Sequence, residues 1–179
     1  MLKVTIPSFE GFDESTNTFI TIPETHLQLE HSLVSISKWE SKWNKAFLDK
    51  NDKTTEQVLD YIKCMTLTQN VDPVVYSFIP NDVVSEITAY IEAPMTATTF
   101  SDTNNKKSME IITSEIIYYW MISLNIPFEC QKWHLNRLLT LIRVCSIKNT
   151  PAKKMSNSEL MSKNKALNEA RRAKYKTRG

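Results

Sequence analysis

The amino-acid sequence predicts an α+β fold, mainly α, in which a small N-terminal β-meander packs on a helical domain and a basic helical arm follows at the C-terminus. Three observations predict it. Leu2, Val4 and Ile6 alternate with Lys3 and Thr5, the period of a half-buried strand. From Ser32 the apolar period changes to three and four residues, the spacing of helices. Residues 151–179 hold nine Lys/Arg against two acids, a charge of +7, which leaves 13 basic and 18 acidic residues and −5 for residues 1–150. The domain expectation is therefore a body over 1–150, β-rich to residue 31 and helical from 32, and an arm over 151–179.

The strand region reads as three strands: 2–6, then Phe19 to Ile22 ended by Pro23, then Leu27 and Leu29 alternating with His26, Gln28 and Glu30. Gly11 to Asn17 reads as the turn after the first. Leu33, Ile36, Trp39 (or Glu40), Trp43 and Phe47 mark a first helix, ended by the polar stretch Asp49 to Thr54. Thr54 with Gln57 forms a capping-box pattern for a second, running to about Leu67. Asp72-Pro73 starts a short helix that stops before Pro80. Asn81 is expected to cap the next, which ends before Pro94. Residues 97–113 fit a β-hairpin or an exposed loop equally. Ser114 to Asn125 reads as a buried apolar helix, and a long helix is predicted from about Phe128 to Ile147 after Pro127. Trp120, Trp133, Leu138 and Ile142 are expected in the core. Past a linker around Pro151, Ser156 to Glu159 is a second capping box, and Leu160, Leu167 and Ala170 give the arm a thin apolar stripe.

Composition excludes several function classes. Gly11 and Gly179 are the two glycines, so no Gly-rich phosphate loop and no G-x-S-x-G elbow can be written. Cys64, Cys130 and Cys145 form no C-x-x-C pair and read as reduced thiols of a cytosol-like compartment. The N-terminal residues have no apolar stretch of signal-peptide type, and the run Ile116 to Leu124 is too short for a membrane span of ~20 residues.

The chemical constellations are weak. Cys130 and His134 stand four apart on the predicted helix, but Cys145 lies three turns further on, roughly 16 Å away, so two ligands make no zinc site. Glu40, Glu56, Asp60, Glu86 and Glu92 are scattered and read as solvated helix faces. Trp39, Trp43, Trp120 and Trp133 fit a core better than a base-stacking platform. The expectation is no enzyme, no metal and no cofactor.

The arm is the sharpest feature. A solvated tail and a partner-docking helix both fit it; the capping box and the stripe favour docking, with Leu160, Leu167, Arg171 and Arg172 as partner-binding residues. Tyr175 is its one aromatic residue, which disfavours sequence-specific nucleic-acid binding.

The stretch Gln131 to Cys145, with Leu33 to Glu40 and Asn164 to Arg172, resembles tail assembly chaperones of long-tailed bacteriophages. That resemblance implies a non-enzymatic protein of the infected bacterial cytoplasm that binds the tape-measure protein and recruits the major tail protein, and it leaves a homo-oligomer open. The alternative is a structural virion component, a head–tail connector or tail-completion protein.

Overall fold

A computed structural model describes residues 1–13, 18–100, 111–150 and 157–175. It is α+β and mainly α: four short strands precede the helices. Contacts divide the chain into two compact units, 1–146 and 147–179, where the sequence suggested a boundary at 150.

The strands do not form the expected three-stranded meander. β1 (Leu2–Ile6) pairs antiparallel with β4 (Thr25–Leu29), while β2 (Phe9–Asp13) pairs with β3 (Thr18–Ile22). This is one long hairpin broken into two ladders. The register sets Ile6 opposite Thr25 and Phe9 opposite Ile22, so Pro7 and Pro23 both fall in the break. Neither proline has an N–H to give a ladder, which is the physical reason the pairing stops there. Gly11 is a strand residue and not the start of a turn. A Cβ there would come within 2.6 Å of the Phe9 ring, so glycine makes room for that ring, which stacks on Phe78 at 4.7 Å. Of the expected turn, 14–17 lie outside the described residues.

Alternation decides which face is covered. Val4, Ile6, Leu27 and Leu29 are buried, whereas Lys3, Thr5, His26 and Gln28 face outward. Beyond β4, Glu30 N–H donates to Met65 C=O at 3.0 Å and Leu67 N–H to Gln28 C=O at 2.8 Å. The exit of the second helix therefore extends the ladder.

α1 (Leu33–Trp43) opens on a reciprocal cap between Ser32 and Ser35. The helix ends earlier than the apolar pattern suggested, because Asn44 adopts φ 51° and its N–H closes on Glu40 C=O. A short polar side chain tolerates that left-handed geometry. α2 (Thr55–Met65) has the expected capping box between Thr54 and Gln57. A 3-10 turn over Pro73–Phe78 is capped by Asp72, as expected. α3 (Asn81–Glu92) follows Pro80, which occupies the cap position, so Asn81 is the first helical residue and not the cap. α3 packs on β1, and α1 packs on α2 and on α4 (Ser114–Ser123).

No strand occurs over 96–100 or 111–113, and the rest of the expected hairpin, 101–110, lies outside the described residues. The long helix predicted from Phe128 is also interrupted. Phe128–Lys132 is a 3-10 segment and α5 is Leu135–Asn149. Between them, His134 makes an antiparallel bridge with Ser32, and Leu135 N–H donates to His31 C=O at 2.8 Å. A long-range backbone pairing thus overrides the local helical pattern. Leu138 and Ile142 are buried as expected. Trp120 and Trp133 are only half-buried against the core, a correction for both. Trp133 instead lies under the Arg137 guanidinium, 4.3 Å from its ring centre.

Candidate functional site

Two buried polar networks hold the body together. In the first, β4, α1, α2, α3 and the start of α5 converge on two histidines. The His31 and His134 rings lie 5.1 Å apart, edge to face. His134 Nδ1 accepts the Asn136 N–H at 3.3 Å, so its proton sits on Nε2 and is donated to the Tyr90 carbonyl at 3.0 Å. His31 Nδ1 and the Tyr61 hydroxyl are 2.5 Å apart, and that hydroxyl reaches Ser35 Oγ at 3.3 Å. Burial, and then the facing His134, push His31 down to about 4. Burial likewise lowers His134, partly offset by its bond to Tyr90 C=O. Burial drives the Tyr61 hydroxyl far above its ordinary value. Two neutral rings and a neutral phenol, with His31 only 2% exposed, make a structural cluster sealed from any substrate.

The second network corrects the expectation that Glu40 and Asp60 lie on solvated faces; both are buried. Glu40 accepts the Phe47 N–H on Oε1 and the Ser114 N–H on Oε2, each at 2.8 Å. Asp60 accepts Trp43 Nε1–H on Oδ2 at 2.9 Å and pairs with Lys42 through Oδ1. Burial alone would raise the Asp60 carboxyl, but the bonds from Lys42 and Trp43 hold it below the usual carboxylate range. Trp39 donates to Gln57 C=O at 2.9 Å.

Cys130 and His134 do not share a helix face: one lies in the 3-10 segment, the other in the bridge to Ser32. Among the described residues no group of three His, Cys, Asp or Glu could hold a metal ion. Among them, too, no helix is long and apolar enough to cross a membrane. A groove of about 550 Å³ runs beside β3, lined by Ile22, Val71 and Val74. Its one carboxylate, Asp72, is already bound to the Val74 N–H.

The residues singled out for partner binding all fall on α6 (Asn157–Tyr175). Ser156, the expected cap, lies outside the described residues. Helical register sets positions 160, 167 and 171 on one stripe and position 172 about 100° round from 171. Leu167, Arg171 and Arg172 are exposed, as are Met161 and Tyr175. The apolar, exposed outer side of α4 was not foreseen. Its all-round apolar sequence reads as burial, yet Tyr119 is 67% and Ile122 60% exposed, and Phe128 beyond it 53%. Without polar alternation, Ser114–Ser123 carries no sequence signal of which side is exposed.

No protein-family model, no curated protein and no solved structure matches this chain.

Proposed function

We propose that this chain is a non-enzymatic binding protein of phage tail morphogenesis, a tail assembly chaperone that engages the tape-measure and major tail proteins in the host cytoplasm through its C-terminal helix. The observation that carries the reading is α6 itself. It is a continuous helix of 19 residues on which every described side chain is exposed. A helix of that length with so few apolar residues is marginal in water by itself, and packing of its stripe against another surface is what stabilises such a helix. Leu160, Leu167, Arg171 and Arg172 supply an apolar seam with adjacent cations. A long helical tape measure with uncovered apolar stripes is a suitable counterpart, and covering those stripes delays aggregation. The sequence resemblance to tail assembly chaperones supports the same reading.

The test is co-purification of the full chain with the tape-measure and major tail proteins of its phage, together with mass spectrometry of purified virions. A chaperone binds the tail proteins and is missing from virions. Presence in virions at a fixed ring-like stoichiometry would instead assign a connector or tail-completion protein.

A further inference from the structure

On the outer side of α4, Glu115, Tyr119 and Ile122 follow at intervals of four and three, so they form one stripe. Tyr119 and Ile122 are more than half exposed. Tyr118 borders the stripe, its ring 6.4 Å from that of exposed Phe128, and its hydroxyl donates to Gln131 Oε1 at 2.8 Å. This bond fixes the 3-10 segment alongside the helix. The surface is apolar and mainly acidic: residues 114–131 contain Glu115 and Glu129 and no Lys or Arg, and one exposed cation, Lys132, ends the 3-10 segment. A contiguous apolar patch bordered by acids marks a protein interface.

The chain itself carries a surface of complementary kind. α6 presents exposed Met161, Leu167 and Tyr175 among Lys163, Lys165, Arg171, Arg172 and Lys174. We propose that the α4 face of one copy receives the basic helix α6 of a second copy. Apolar side chains meet the Tyr119–Ile122 stripe, and the arginines meet Glu115 and Glu129. In a closed two-fold pair each copy gives its arm and receives its partner's. The contact is then made twice, which doubles the area it buries. One arm cannot hold a second copy and a tail protein at once, so pairing would be exchanged for tail-protein binding. Sedimentation of the chain alone contains no tail protein, so its outcome is separate from that of the co-purification.

The experiment is sedimentation equilibrium of the full chain over a concentration series at low and high salt. Glu115→Arg with Glu129→Arg reverses the face, and Arg171→Glu with Arg172→Glu reverses the arm. The wild type is expected at twice the chain mass. Each reversal should weaken pairing roughly tenfold or more at low salt, and the four substitutions together should restore it. Tyr119→Lys with Ile122→Lys should abolish pairing at any salt, with an unchanged circular-dichroism spectrum as the check on folding. A wild type that stays monomeric, including through docking of its own arm, overturns the proposal. So does pairing indifferent to the reversals, or a fourfold variant that fails to recover.

Discussion

The carboxylate of Glu40 accepts the Ser114 N–H at 2.8 Å, across 74 residues of sequence. Thr113, at the cap position of α4, makes no side-chain cap bond. A residue of α1 therefore does for α4 what a local Ser or Asp does for most helices, and its negative charge stands at the positive end of the helix dipole. The other oxygen takes the Phe47 N–H and holds the loop after α1.

Glu40→Gln should destabilise the body by ~1–3 kcal/mol. The amide has one acceptor oxygen, so one buried N–H is left facing an NH₂ group. Urea unfolding followed by tryptophan fluorescence measures it. A loss below ~0.5 kcal/mol would mean that water replaces the missing bond.

Acid should weaken the fold through its two buried histidines. In the unfolded chain His31 takes up a proton near pH 6.5, whereas in the folded chain burial delays this to about 4. Between those values the unfolded state binds more protons, so stability falls as pH falls, by about 3 kcal/mol in all for this one group. His134, also lowered, adds to the loss in the same direction. Thermal melts from pH 7 to pH 4 should show the decline, and His31→Gln should flatten it. An equal slope in the variant would place the effect elsewhere.

The tryptophans should separate by burial. Trp39 is 1% exposed and bonded to Gln57 C=O, so Trp39→Ala should cost ~3–5 kcal/mol. Trp133 is half-buried and stacked by Arg137, so Trp133→Ala should cost well under that, ~1–2 kcal/mol. Equal losses in chemical denaturation would contradict the packing described.

Truncation after Thr150 should leave the body folded, since its buried apolar cluster lies wholly within residues 4–142. Within the arm, Leu160→Asp with Leu167→Asp should weaken binding to tail proteins at any salt. Arg171→Ala with Arg172→Ala should act mainly at low salt, because exposed charges are screened over ~8–10 Å at physiological ionic strength. The reverse pattern, read by co-purification at two salt concentrations, would make the arm an electrostatic tether.

Patterns within a few residues were legible in the sequence, because their causes are local. The alternation of Val4 and Ile6, the Thr54–Gln57 box, the Asp72-Pro73 start and the placement of the arm on a helix needed no distant residue. Tertiary structure decided the rest. Where the long hairpin breaks depends on Pro7 and Pro23 falling in the same gap between the Ile6–Thr25 and Phe9–Ile22 pairs, a matter of register between segments about 16 residues apart. The break before α5 depends on Ser32 and His31 reaching the backbone of His134 and Leu135. Glu40 and Asp60 look like ordinary surface acids until α4 and Trp43 supply N–H donors that make their burial tolerable. An apolar helix such as α4 carries no periodic mark of which side the core covers, so only packing against α1 reveals Tyr119 and Ile122 as surface. Sequence fixes what each short segment can do; desolvation and long-range hydrogen bonding choose among those options.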